Sequence, residues 1–133
     1  MATAPALLDT TIVIEFLRKG DKKNAVLFKL VDNYDFYLSV ITHFEVAIGL
    51  KTERQQAEYQ DLLARCQILP LDLRCISQAV SIYRWLKLQN AQIGLADLLI
   101  GATALGYQLP LATLNEKHFA RIPQLQWVDL SSP

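Results

Sequence analysis

The sequence predicts an α/β sandwich: a mainly parallel sheet of about four or five strands flanked by helices. Short apolar runs alternate along the whole chain with stretches of helical period, the pattern of repeated strand–helix units. Two of those runs stop on polar residues, Asp9 after Ala6-Leu7-Leu8 and Ser39 after Phe36-Tyr37-Leu38, as strands covered on both faces do at the edge of a parallel sheet. Leu95 to Tyr107 is apolar or small on every side with Asp97 as its only charge, so it reads as a central buried helix.

Taken in order, the first strand ends at Asp9, and Ile12, Val13, Phe16 and Leu17 then share one helical face opposite Glu15, Arg18 and Lys19. Gly20-Asp21 closes that helix. A second helix is expected from about Lys22 to Val31, a turn at Asn33-Tyr34-Asp35, and a strand over Phe36 to Ser39. Ile41 to Leu50 is helical, with Ile41, Phe44 and Ile48 as its apolar stripe and Val46 and Leu50 on a second side. A polar helix from about Gln55 to Cys66 leads to a strand over Gln67 to Leu71, which Pro70 pushes towards a sheet edge or a strand end. Asp72 caps the next helix, roughly Ile76 to Gln89, and Asn90 to Gly94 is a loop. After the buried helix come a strand over Pro110 to Thr113, a helical turn at Asn115 to Phe119, and a last strand at Gln126-Trp127-Val128.

Composition bounds the function. A chain of 133 residues is one domain by length, 1–133, and buries roughly two-thirds of its unfolded surface on folding. With 52% hydrophobic and 20% charged residues it is globular, and 13 basic against 13 acidic residues exclude a global electrostatic pull on nucleic acid but not a local basic patch. The first residues lack the charged start and apolar run of a signal peptide, and no apolar stretch is long enough to span a bilayer, which implies a cytoplasmic protein with no membrane partner. Cys66 and Cys75 make no metal-ligand pattern and read as reduced, buried thiols.

Most of the acids lie in polar surroundings. Asp9, Glu45 and Asp97 do not. Glu45 borders an apolar stripe in mid-helix, and Asp97 shares its face with the small residues Gly101 and Ala104. Each has an ordinary alternative: Asp9 as a helix cap, Asp97 as a first-turn acid favoured by the helix dipole, Glu45 as a side chain reaching water. Together they fall at one edge of a parallel sheet. Carboxylates about 4 Å apart repel by roughly 4 kcal/mol per pair at an effective dielectric near 20, and a divalent cation removes that conflict. Oxygen ligands favour Mg²⁺ or Mn²⁺ over zinc, and Mg²⁺ commonly adds a phosphate oxygen, which points to phosphate-ester chemistry.

Four segments carry a resemblance: Leu7-Leu8-Asp9-Thr10, Ser39 to Leu50 around Glu45, Ala96 to Ala104 around Asp97, and Ala112-Thr113-Leu114-Asn115-Glu116-Lys117-His118-Phe119. In this order and spacing the chain resembles the PIN-domain ribonucleases, in particular the VapC-like toxins of bacterial toxin–antitoxin pairs. The resemblance implies a Rossmann-like sandwich in which Asp9, Glu45 and Asp97 hold Mg²⁺ or Mn²⁺ and water cleaves an RNA phosphodiester. Asn115 stands at a fourth position where many members carry Asp or Asn; it keeps an oxygen but loses a charge. His118 falls where relatives often have Asp or His, and either touches substrate or caps the last turn. Thr10, Ser39 and Thr113 orient water or phosphate, or satisfy backbone groups.

RNA requires basic contacts. The local candidates are Arg18, Lys19, Lys22, Lys23, Lys51, Arg54, Lys117 and Arg121, with Arg18, Lys51 and Lys117 nearest the site elements in sequence. The second apolar side of the Ile41 to Leu50 helix calls for a partner. The resemblance suggests a homodimer mate and a small cognate antitoxin. The alternative function is a PIN-like module that binds RNA or protein without cutting. A phosphoacceptor receiver and a dehalogenase-type phosphatase are disfavoured, the latter because Thr11 stands where a second Asp is needed, and GxGxxG, GxxxxGK[ST], HExxH and GxSxG are absent.

Overall fold

The computed structural model describes residues 2–131. Its elements are β1 (Ala4–Leu8), α1 (Thr10–Arg18), a 3₁₀ turn (Lys22–Asn24), α2 (Val26–Leu30), β2 (Tyr34–Ser39), α3 (Val40–Gly49), α4 (Glu53–Leu63), β3 (Cys66–Leu69), α5 (Leu73–Leu88), α6 (Leu95–Tyr107), β4 (Leu111–Ala112) and α7 (Glu116–Phe119). The strands form one parallel sheet in the order β3-β2-β1-β4. The α/β sandwich expected from the sequence is therefore present, with β3 at the edge that Pro70 demands.

β1 organises both layers. Ala6 and Leu8 point to one side, where they join Ile12, Val13, Leu27, Tyr59 and Leu62, while Leu7 points to the other and packs with Ile82, Leu98, Ile100 and Phe119. This alternation follows from the two-residue period of a strand, and each such side chain taken from water contributes about 1.5–3 kcal/mol. Because all strands run the same way, their C-terminal ends lie at one edge. Asp9 follows β1, Ser39 closes β2 and Thr113 follows β4 there, and the Asp9 amide donates to the Ala112 carbonyl at 2.8 Å.

Several boundaries differ from expectation, each for a local reason. The helix expected over Lys22 to Val31 is broken at Ala25: Asp21 accepts from the Lys23 amide at 3.1 Å, and Glu15 of α1 accepts from the Val26 amide at 3.0 Å, so two short helices are capped separately. α5 starts at Leu73 because Asp72 accepts from the Cys75 amide at 3.3 Å. The strand expected at Gln126 to Val128 is reduced to one bridge between Trp127 and Leu111.

The α3 faces also differ. Val46 is buried at 2% exposure while Phe44 and Ile48 are 61% and 69% exposed, so the surface that lacks a partner is the Phe44–Ile48 side rather than the Val46–Leu50 side. α3 is apolar almost all round, and the buried Thr42, one turn before Val46, marks the inward face instead. Gly101 makes room for a side chain, not a backbone: a Cβ there would meet Ile122 Cδ1 at 2.5 Å. Both cysteines are free, and burial pushes the Cys66 thiol up to about 12. Among the described residues no helix is long and apolar enough to cross a membrane.

Lys22 closes α1. Its ammonium donates to the carbonyls of Phe16, Leu17 and Lys19 at 2.6, 3.3 and 2.9 Å, pairs with Glu58 of α4 at 3.2 Å, and lies over the Phe16 ring. It is thus an internal tie between α1 and α4, not a cation presented to RNA. Replacing it by methionine keeps the stem and removes the charge; Lys22→Met is expected to lower stability by about 1–3 kcal/mol, seen as a lower urea midpoint at unchanged slope.

Candidate active site

Asp9 is buried at 3% exposure and occupies the N-cap position of α1, yet its side chain makes no capping bond. The carboxylate instead turns towards β4. Its Oδ2 accepts from Thr113 Oγ1 at 2.7 Å and from Thr11 Oγ1 at 2.8 Å. Thr11 Oγ1 in turn accepts from the Leu114 amide at 3.1 Å, and Thr113 Oγ1 from the Asn115 amide at 3.0 Å. Each hydroxyl is thus oriented by a backbone donor so that its own proton points at Asp9. No hydrogen bond among the described residues reaches Oδ1.

Glu45 enters from α3, half-buried, and its Oε1 accepts from Thr10 Oγ1 at 2.6 Å. Thr10 Oγ1 also lies 3.1 Å from Thr42 Oγ1, joining the start of α1 to the start of α3. Ser39, fully buried, accepts from the Thr42 amide at 3.0 Å. It serves as the cap of α3, the backbone role of the two considered for it.

Asp97 lies in the first turn of α6, where the N-cap is Gly94 and offers no side chain. Burial pushes its carboxyl above the usual range, the negative charges of Asp9 and Glu45 add to the rise, and His118 opposes it. His118 Nδ1 stands 3.4 Å from Asp97 Oδ2, a contact that is neither of the two roles considered for it. Asn115 sits half-buried immediately before α7, between Thr113 and His118. Arg18 and Lys51 line a cleft with Glu45, whereas Lys117 is exposed on α7 beside His118. Thr11 and Thr42 are the participants that sequence reasoning did not single out. Thr11 was readable only as a helix-start residue, though three consecutive hydrogen-bonding side chains after a buried strand were a usable sign.

The sequence model of the PIN domain matches residues 6–125. The chain belongs to the PIN-domain family. Ribonuclease VapC of Rickettsia bellii is 30% identical over 128 residues, covering 90% of this chain and 92% of that protein. A crystal structure of VapBC2 from Rickettsia felis bound to a DNA fragment from its promoter aligns at TM-score 0.80 and 27% identity, over 93% of this chain and 97% of that one. VapBC-1 from nontypeable Haemophilus influenzae aligns at 0.81 and 29%, over 96% and 99%. These relatives place the chain among the VapC-like members.

Membership in the PIN-domain family implies a divalent ion. The donors fit one in kind: Asp9, Glu45, Asp97 and Asn115 offer oxygen alone, and Asp97 responds to the charge of both other acids. Among the described residues no three Asp, Glu, His or Cys side chains surround one ligand position. Asp9, Glu45 and Asp97 therefore do not surround a single position as the sequence led us to expect; Mg²⁺ usually binds through one or two carboxylates and fills its remaining places with water and phosphate, so it does not need all three directly.

The raised Asp97 carboxyl gives a signed expectation. The folded state holds that proton more tightly than the unfolded chain, so the ionised Asp97 costs stability, and the cost appears as pH rises from the ordinary carboxylate value through the raised one. In EDTA, Asp97→Asn in this PIN domain is therefore expected to melt above the wild type at neutral pH, with the difference closing under acid conditions where both side chains are neutral. Thermal melts across pH measure it.

Proposed function

We propose that this protein is a Mg²⁺- or Mn²⁺-dependent endoribonuclease, the toxin of a toxin–antitoxin pair, acting in the cytoplasm. The observation that carries the reading is that three carboxylates from distant parts of the chain face one sheet edge, with Asp97 driven upward by burial and then by the charges of Asp9 and Glu45. Asp9, Glu45 and Asp97 are the residues to hold the ion, with Asn115 as a neutral oxygen beside them. Bound Mg²⁺ or Mn²⁺ supplies Lewis acidity towards the scissile phosphate and the attacking water.

The chain's own residues do the rest. Thr113 and Thr11 fix Asp9, Thr10 fixes Glu45, and these hydroxyl donors orient both carboxylates. Asp97 and His118 face each other at Oδ2 and Nδ1, where a proton can be held or passed during hydrolysis. Arg18, Lys51 and Lys117 supply phosphate contacts along the strand. The expected products carry 5′-phosphate and 3′-hydroxyl ends. With RNA and Mg²⁺ or Mn²⁺, cleavage is expected to require the ion and to fall at least about a hundredfold in Asp9→Ala and Asp97→Ala, with circular dichroism unchanged. Full activity of either variant overturns the assignment, and RNA binding without cleavage by the wild type leaves a module that binds but does not cut.

The solved neighbours named VapBC support a small cognate antitoxin as partner. A homodimer is also proposed, through the exposed Phe44 and Ile48 of α3 and the stripe of Leu73, Ile76, Val80 and Tyr83 that the helical period sets along one side of α5. Phe44→Asp with Ile48→Lys is expected to convert a dimeric wild type to monomer in light scattering after size exclusion. A wild type that is already monomeric at high concentration refutes the dimer.

A further inference from the structure

We propose that the cleft between α1 and the α3–α4 turn holds one base of a single-stranded RNA next to the scissile phosphate, with Arg18 and Lys51 on its flanking phosphates. This rests on the ribonuclease reading. The cleft encloses about 350 Å³ and is walled by Ile14, Leu17, Val46 and Leu50. That is within the range of pockets that bind small organic groups. Glu45, one of the three acids, forms part of the wall of the same cleft.

Charge and shape select the occupant. Arg18 and Lys51 are exposed and form no ion pair among the described residues, while Glu45 already accepts from Thr10. Two free cations beside apolar walls match the alternation of phosphate and base along a single strand, whose bases are free to leave the stack and lie against side chains. A strand with one phosphate at Glu45 must continue past the site, and this cleft is a path that offers both kinds of contact.

Gly49 lines the cleft and gives a clean block. A Cβ there meets nothing within 4 Å, and leucine in place of a helical glycine does not weaken the helix. Binding is read by fluorescence anisotropy of a short single-stranded RNA in EDTA, so that no strand is cut. Gly49→Leu is expected to weaken binding by about 5- to 10-fold, with an unchanged or raised melting temperature and unchanged Mn²⁺ affinity by calorimetry. Arg18→Gln with Lys51→Gln is expected to flatten the slope of log affinity against log salt by about 1.4. An abasic RNA is expected to bind the wild type more weakly and to be indifferent to Gly49→Leu.

Gly49→Leu binding RNA as well as the wild type, or abasic RNA binding as well as the natural strand, overturns the base site and leaves the cleft to a protein segment or to solvent. Unchanged binding by Gly49→Leu together with metal-dependent cleavage by the wild type defeats the cleft alone. Loss of binding by Gly49→Leu in a protein that cuts with neither metal defeats the nuclease reading alone.

Discussion

Like charges held close together are what the rest of this structure accommodates. Asp9 and Glu45 lie near enough to Asp97 for their negative charges to add to the rise of its carboxyl, and repulsion of that kind draws on the roughly 5–15 kcal/mol by which a domain of this kind is stable. The fold lessens that cost with hydrogen bonds rather than with lysine or arginine. Two hydroxyls reach Asp9, one reaches Glu45, and an imidazole faces Asp97. Hydrogen bonds of this kind contribute about 0.5–3 kcal/mol each, enough to hold the side chains in place. What remains unbalanced appears at Asp97, whose carboxyl is raised first by burial and then by the charges of Asp9 and Glu45.

Topology makes the gathering possible. β1 lies between β2 and β4, so residues after its C-terminal end are one strand spacing from those after two others. Thr113 reaches Asp9 across 104 positions of sequence because β1 and β4 pair in parallel, Leu8 opposite Ala112. The tie from Thr10 to Glu45 follows from the adjacent β1–β2 pair. A slip of one residue in either pairing would turn the strand-end side chains to opposite faces and disperse the site.

Features governed by local chemistry were readable in the sequence. The apolar triplet before Asp9, the cap at Asp72, the edge placement implied by Pro70 and the all-apolar helix around Asp97 all rest on a few neighbouring residues, and the structure contains them. Features that depend on distant contacts were not. Val46 rather than Phe44 faces inward because α1 packs over α3, and a helix apolar on most sides does not announce that choice. Lys22 looked like a surface cation because nothing in its vicinity shows that the α1 carbonyls end beside it. The acids themselves were legible as residues out of place, whereas the pairing of Thr113 with Asp9 and of Thr10 with Glu45 depends on the strand order.

The position of Asp9 separates the catalytic from the ordinary reading. An aspartate at an N-cap normally accepts from the amides of the first turn, an arrangement that contributes about 1 kcal/mol. Here the backbone adopts the extended cap geometry but the side chain makes no such bond, and Thr11, inside the first turn, draws it towards β4. A sequence shaped for stability alone would keep the cap. The positive end of α1 still faces the carboxylate and steadies its charge. Asp9 is therefore turned from the helix it begins, with one oxygen committed to two hydroxyls and the other without a donor among the described residues. A capping role does not explain that geometry, because the side chain makes none of the bonds a cap makes.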